Sequence, residues 1–229
     1  MLFYLAPMEG ITGYIVRNAY AHYFPYIDKY FTPFIPAAKK MSKKIKRDLA
    51  AENNEQIRLV PQLIGNRADE FLMMIRQLED LGFTSVNLNF GCPSGTVVSK
   101  RKGAGFLADP KELEMLLEEV LENSPLAVSV KTRVGIKDPD EWEALCGVYA
   151  KFPLEELIIH PRLQKDYYSG TPRMETFARA LEQIHVPLCY NGDICSVEDY
   201  KKVTAAFPAI DRIICLLYTS PSPRDGLLS

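Results

Sequence analysis

Apolar positions in this chain follow two rhythms that take turns from one end to the other. Short apolar runs of strand length occur at 2–6, 29–34, 58–64, 85–89, 127–131, 157–160, 186–191 and 212–215. Between them lie segments with helical spacing. In the clearest, Leu113, Leu116, Leu117, Val120 and Leu121 share one face, while Glu112, Glu118, Glu119 and Glu122 turn to water. Asp109, Pro110 and Glu112 mark its start as N-cap, first helical position and third. Asp138-Pro139-Asp140-Glu141 repeats that signature ahead of Trp142, Leu145, Cys146 and Tyr149, and Ser196 with Asp199 resembles it again.

Strands in strict alternation with helices predict a parallel sheet, and eight strands close a TIM (β/α)8 barrel. A doubly wound open sheet is the competing α/β arrangement. It would place a Gly-x-Gly-x-x-Gly after the first strand, which is absent, and would gather its informative residues at one switch point. The barrel is therefore expected over residues 1–215. Residues 216–229 (LLYTSPSPRDGLLS) have no helical period and read as a disordered or extraneous tail, so the eighth strand is expected to lack its covering helix.

At 229 residues, 47% of them hydrophobic, the chain can bury a substantial core. A formal net charge of -2 excludes a wholly basic nucleic-acid coat but not a local basic patch. Two such patches stand out: Lys39-Lys40 with Lys43-Lys44-Ile45-Lys46-Arg47, and Lys100-Arg101-Lys102. The five cysteines are scattered and contain no Cys-x-x-Cys, which fits a reducing cytosol and predicts neither a disulfide framework nor a metal site. The amino-terminal residues lack the basic start and long apolar stretch of a signal peptide, and no run is long enough to span a bilayer. The expectation is a soluble, cytoplasmic protein with no membrane or protein partner.

In barrels of this kind the active site forms at the carboxyl ends of the strands. Those positions hold Pro7-Met8-Glu9-Gly10, Gln62, Asn89 with Cys92, Lys131-Thr132-Arg133, His160-Pro161-Arg162 and Asn191-Gly192-Asp193. Each alone has a bland reading: Gln62 a satisfied core amide, Lys131 a rim ion pair, His160 a structural hydrogen bond, Cys92 a small buried hydrophobe. Polar groups at the ends of six apolar strands need partners, and their convergence predicts a ligand site. Lys131 offers a charge to an electron-rich ring edge, Gln62 both donates and accepts, and the amides of 191–193 suit a phosphate. Apolar contacts near Pro7 and Met8 suit a flat ring. Together they describe a flavin mononucleotide site.

Several stretches carry a family resemblance. Ala-Pro-Met-Glu-Gly-Ile-Thr at 6–12 with Arg17, Pro-Gln-Leu-Ile-Gly at 61–65, and Asn-Leu-Asn-Phe-Gly-Cys-Pro at 87–93 resemble the tRNA-dihydrouridine synthases. So do Gly103-Ala104-Gly105, Val-Lys-Thr-Arg-Val-Gly at 130–135, His160 and Asn191-Gly192-Asp193. The resemblance implies an FMN-binding TIM barrel that uses NADPH to reduce the C5=C6 bond of a uridine in tRNA. It implies a hydride from reduced FMN to C6 and a proton to C5 from Cys92, held as a thiol. It places Pro7, Met8, Gln62, Lys131, His160, Asn191, Gly192 and Asp193 at the cofactor. Asn89 would meet the uracil edge, and Lys100, Arg101, Arg133 and Arg162 the substrate phosphates. Members of that family carry a Gly-Arg-Gly phosphate grip, a closing helix and a tRNA-binding helical domain after the eighth strand. Here Cys215 runs into Leu216-Leu217-Tyr218 instead. A dihydroorotate dehydrogenase-like flavin barrel and an inactive truncated fragment are the competing readings.

Overall fold

A computed structural model describes residues 1–215; the tail expected at 216–229, and whatever covers the last strand, lie outside the described residues. Ten parallel strand segments make eight staves. They are β1 (Leu2–Leu5), β2 (Lys29–Phe31), β3 (Ile35–Pro36), β4 (Leu59–Val60), β5 (Gln62–Ile64), β6 (Ser85–Phe90), β7 (Ala127–Arg133), β8 (Leu157–His160), β9 (Leu188–Tyr190) and β10 (Arg212–Cys215). The ring closes where β1 pairs with β10, Leu2 opposite Arg212 and Tyr4 opposite Ile214.

Two staves expected as continuous runs are each split by a bulge: Phe31 pairs with Val60 and Ile35 with Leu63, so four residues of one stave span three of the other, and β2 pairs with β4 while β3 pairs with β5. Thr32 bridges the bulge: its N–H donates to Val60 O (3.2 Å) and its Oγ1 accepts from Gln62 N–H (2.9 Å). The expected strands at 127–131 and 85–89 run longer, to Arg133 and Phe90, and the one at 186–191 is shorter.

Helices α1 (Tyr14–Tyr23), α2 (Lys43–Leu49), α3 (Ala68–Asp80), α4 (Gly95–Val98), α5 (Pro110–Asn123), α6 (Glu141–Tyr149), α7 (Met174–Gln183) and α8 (Val197–Ala206) lie between the staves. The α5 cap is as expected: Asp109 Oδ1 accepts from Lys111 N–H (3.0 Å) and Glu112 N–H (3.2 Å). Ser196 Oγ likewise accepts from Asp199 N–H at 3.1 Å to start α8. The start of α6 differs from its expected box. Asp138 lies before a turn, and it is the Glu141 carboxylate that turns back to accept from the N–H groups of Ile136, Lys137 and Asp138.

Inside the barrel the layers alternate in character. At the amino-terminal end, buried Glu156 accepts from Lys29 Nζ (2.6 Å), Tyr4 OH (3.0 Å) and Arg212 Nη1 (3.3 Å). Above it Tyr4, Ala6, Phe31, Val60, Ile158, Cys189 and Ile214 form an apolar plug. The main core lies between sheet and helices, where Leu113, Leu116, Leu117 and Val120 of α5 are buried. No helix among the described residues is long and apolar enough to cross a membrane.

Candidate active site

Above the plug runs a line of buried amides that ends at the cysteine. Asn89 Oδ1 accepts from the backbone N–H of Gly91 (3.0 Å) and of Cys92 (2.9 Å). Its Nδ2 must then face Gln62 Oε1 (2.7 Å), and Gln62 Nε2 in turn donates to Asn87 Oδ1 (2.9 Å). Asn87 Nδ2 donates to Ser129 Oγ at 2.9 Å, and that hydroxyl passes its hydrogen to Val86 O at 3.1 Å. Backbone groups at both ends fix every amide orientation along the line.

The loop after Cys92 folds back over it. Ala104 N–H donates to Cys92 O at 3.0 Å. Gly103 sits at φ +54, and a Cβ there would lie 2.8 Å from Cys92 O and 3.0 Å from Cys92 Cβ. A Cβ on Gly105 would lie 2.6 Å from Val98 O. Only glycine lets this loop approach so closely. Cys92 stays half-buried, and burial pushes its thiol above the ordinary value. The Ser94 amide and the cations Arg133 and Lys131 pull the other way, and Glu9 adds to the rise. The net direction is a protonated thiol.

Beside the amide line Lys131 Nζ donates to Asn191 Oδ1 at 2.6 Å, while Asn191 Nδ2 donates to Ile214 O at 3.0 Å. Removal from water, with Arg133 nearby, pushes the Lys131 ammonium down to about 8. His160 lies opposite Arg133 across the β7–β8 ladder and is 7% exposed. Burial first, then the charges of Arg133, Lys131 and Arg162, hold its imidazole well below the ordinary value, so it is neutral. Arg162 Nη1 approaches His160 Nε2 at 3.2 Å. A guanidinium only donates, so Nε2 accepts and the ring hydrogen sits on Nδ1.

The two arginines expected at substrate phosphates are turned inward. Arg162 spends all five N–H groups inside the protein: two on Asp193 (2.7 and 2.5 Å), one on His160, and one each on the Ser169 and Gly170 carbonyls. Arg133, 1% exposed, donates to the carbonyls of Gly91 (3.0 Å), Leu163 (2.8 Å) and Tyr167 (2.7 Å). Arg162 thus has no donor left for a phosphate, and Arg133 ties the cysteine turn to the loop after β8. Gln164 Nε2 adds a second tie at Pro93 O (3.1 Å).

Cys92, Asn89 and Gln62 thus share one line of contacts, Lys131 and Asn191 a second, and His160 and Asp193 a third through Arg162, all at the carboxyl ends of the staves, with Pro7 and Met8 half-buried on the loop after β1. Gly192 packs against the Tyr190 ring, which leaves no room for a side chain. Lys100 and Arg101 are exposed further out, Arg101 being paired with Glu112 at 2.6 Å. A separate groove between the loop after β5 and α5 is lined by Asn66, Arg101, Glu112, Met115 and Glu119. Among the described residues no group of His, Cys, Asp or Glu is arranged to hold a metal ion.

Three features had no role in the sequence reading, although Asn87 and Arg17 stood in its motifs. Asn87 and Ser129 look like ordinary strand positions, although their alternation with Asn89 and Lys131 marks them as inward-facing. Tyr168 is 65% exposed, its ring 5.5 Å from the Arg133 guanidinium carbon and 6.5 Å from the His160 ring. Two adjacent tyrosines in a polar loop after His160 were its available signal. Arg17 is buried and holds the β1 loop by donating to Thr12 O (2.8 Å) and to Asp48 Oδ2 (3.1 Å).

Residues 4–214 match the sequence profile described as Dihydrouridine synthase (Dus). The chain is 30% identical over 207 residues to the tRNA-dihydrouridine(16) synthase of Pseudomonas putida, covering 86% of this chain and 64% of that protein. It is 32% identical over 171 residues to the tRNA-dihydrouridine(20/20a) synthase of Vibrio parahaemolyticus, covering 68% of this chain and 52% of that one. Among solved structures, histamine dehydrogenase from Rhizobium sp. 4-9 superposes with TM-score 0.68 at 12% identity, covering 93% of this chain and 43% of that one. A morphinone reductase variant in complex with tetrahydroNAD gives 0.64 at 9% identity, covering 94% and 82%. These two likenesses concern the barrel alone.

Proposed function

Since this chain belongs to the dihydrouridine synthase family, we propose that it carries the catalytic barrel of an FMN-dependent oxidoreductase that reduces the C5=C6 bond of a uridine in tRNA, with NADPH as electron donor. The relatives' names carry different tRNA positions, 16 and 20/20a, so the target position is left open.

The observation that carries the reading is the placement of Cys92. Its backbone is fixed by Asn89 and Ala104 at the carboxyl end of β6, half-buried, where burial favours the thiol over the thiolate. A nucleophilic cysteine needs the reverse, a depressed pKa. A protonated thiol at the mouth of a barrel suits an acid, and C5 of the pyrimidine is where a proton must arrive.

The residues around it fit FMN by their donor set. Lys131 holds a charge whose side-chain partner among the described residues is the neutral Asn191 amide, so an electron-rich ring edge would complete it. Gln62 keeps one Nε2 hydrogen, and His160 its Nδ1 hydrogen, for further acceptors. FMN, when bound, supplies the two electrons that reduce the ring. Lys131 would hold its pyrimidine edge together with Gln62, while Pro7 and Met8 would flank the ring and His160, Asn191, Gly192 and Asp193 would complete its surroundings. Asn89 retains one Nδ2 hydrogen for the uracil edge. A uridine within folded RNA must be swung out to reach this depth, which requires contacts to the phosphate backbone.

The test is single turnover. Protein loaded with FMN and reduced by NADPH is mixed with unmodified tRNA, and dihydrouridine is quantified by mass spectrometry. Product with the native chain, and loss of product with Cys92→Ala although the flavin is still reduced, is the expected result. Equal product from Cys92→Ala would remove the thiol from the mechanism, and reoxidation by a free pyrimidine but not by tRNA would replace the substrate.

A further inference from the structure

The segment between β3 and the end of α2 concentrates charge in a way its local structure does not favour. Lys39, Lys40, Lys43, Lys44, Lys46 and Arg47 are all exposed. None makes an ion pair among the described residues, whereas Arg58, Arg67, Arg101, Lys151 and Arg173 each do. The acid adjoining the run, Asp48, is taken by Arg17. Lys43 and Lys44 stand in the first turn of α2, at the positive end of the helix dipole. Lys43 with Lys46 and with Arg47 are like-charged pairs at neighbouring positions on the helix. A solvated face chosen for stability would carry acids there.

The segment is ordered and sits on the active-site rim. Ala37 N–H donates to Ile64 O at 2.8 Å, which fixes the exit from β3. Gln77 of α3 accepts from Met41 N–H (3.2 Å) and donates to Lys39 O (3.2 Å). Ser42 caps α2 through Ile45 N–H, and Met41 and Leu49 bury the inner side. Along the same rim, Asn66 after β5 donates to Lys100 O at 3.2 Å, next to the loop that covers Cys92. The run at 39–47 and exposed Lys100 therefore flank the exits of three successive staves.

We infer that Lys39, Lys40, Lys43 and Lys44 form a phosphate-binding ridge for the backbone of a folded RNA whose target base enters the barrel beside Cys92. This rests on the proposed tRNA substrate. Held cations without partners, on the same rim as the acid, match an evenly spaced polyanion. Lysine, a point charge on a flexible stem, suits contacts that ignore sequence.

The experiment is tRNA binding over a series of salt concentrations, with the native chain and a Lys39→Gln, Lys40→Gln, Lys43→Gln, Lys44→Gln variant. Each phosphate that is no longer neutralised flattens the slope of log affinity against log salt by about 0.7–0.9, so roughly 3–4 is expected if each of the four lysines meets one phosphate, with Kd raised about tenfold or more at low salt. Arginine at all four positions should keep the native slope, and Lys201→Gln with Lys202→Gln on α8 should not change it. The glutamine variant should melt no lower than the native chain, because it relieves like-charge repulsion. Native slope and affinity in that variant would overturn the ridge while leaving the substrate reading intact. A native chain that binds no tRNA would overturn both.

Discussion

The carboxamide of Asn89 holds the backbone of Cys92: its Oδ1 accepts from Cys92 N–H at 2.9 Å and from Gly91 N–H at 3.0 Å. The strand that delivers the thiol therefore also aims it, through a side chain three residues earlier. Because Oδ1 is committed to two backbone donors, the orientations of Gln62, Asn87 and Ser129 follow in one direction. The same line that binds the turn thus carries Gln62, a proposed cofactor contact.

Asn89→Leu should orphan two backbone N–H groups at the turn and cost about 2–6 kcal/mol, at roughly 1–3 for each lost partner. Turnover should fall more than stability implies, since the thiol is no longer aimed. Ser129→Ala, at the far end of the line, should destabilise by about 1–2 kcal/mol and leave turnover nearly native. Denaturant unfolding beside single-turnover rates separates these outcomes. Equal rate losses in both variants would mean that the line acts as a unit rather than through Asn89.

Cys92→Ala should lower product formation by about 10²–10⁴-fold, the range for a positioned acid, with FMN reduction by NADPH unchanged. The pH dependence follows from the direction of the thiol's shift. An acid works while protonated, and burial raises this thiol's pKa. The rate limb due to Cys92 should therefore lie above the ordinary thiol range, and the rate should be flat through neutral pH. A limb near pH 7 that vanishes in Cys92→Ser would show a thiolate instead and sink the acid role.

Much of this was legible in the sequence, and the reason is periodicity. Alternation placed Asn89, Lys131 and His160 at strand ends, and eight apolar runs between amphipathic helices specify a barrel. What stayed hidden depends on loop geometry. Arg133 and Arg162 look like phosphate contacts because they are cationic and sit at strand ends. The carbonyls that consume them belong to Leu163, Tyr167, Ser169 and Gly170, in a loop whose path no local pattern fixes. The bulge that splits the second and third staves was not readable either, because the Thr32 hydroxyl, rather than a backbone carbonyl, takes the Gln62 N–H there.

Lys131→Met should shift the potential of bound flavin downward. A charged hydrogen bond contributes about 1.5–3 kcal/mol, and at 30 mV per 1.4 kcal/mol for two electrons the shift is roughly 30–60 mV. Burial pushes the native ammonium down to about 8 in the free protein and a bound anionic ring would raise it again, so the advantage of the native chain should shrink only at pH values above 8. Spectroelectrochemistry of both proteins at neutral and alkaline pH reads this directly. An unchanged potential in Lys131→Met would place the lysine away from the reduced ring.

His160 should make the barrel acid-sensitive. Its folded pKa lies well below 6.5, because burial and the charges of Arg133, Lys131 and Arg162 oppose protonation. Between that value and 6.5 the unfolded chain binds a proton that the folded chain refuses. Stability is therefore fully present above pH 6.5 and declines as pH falls, by up to about 1.4 kcal/mol per pH unit from this group. His160→Gln, which keeps an amide of similar reach, should flatten urea midpoints between pH 6.5 and 5, within about half a unit at either end, apart from the carboxylates' own contribution. A native slope in that variant would assign the acid sensitivity elsewhere. His185 and His22 are the other histidines, and the first of them lies after α7, outside the rim.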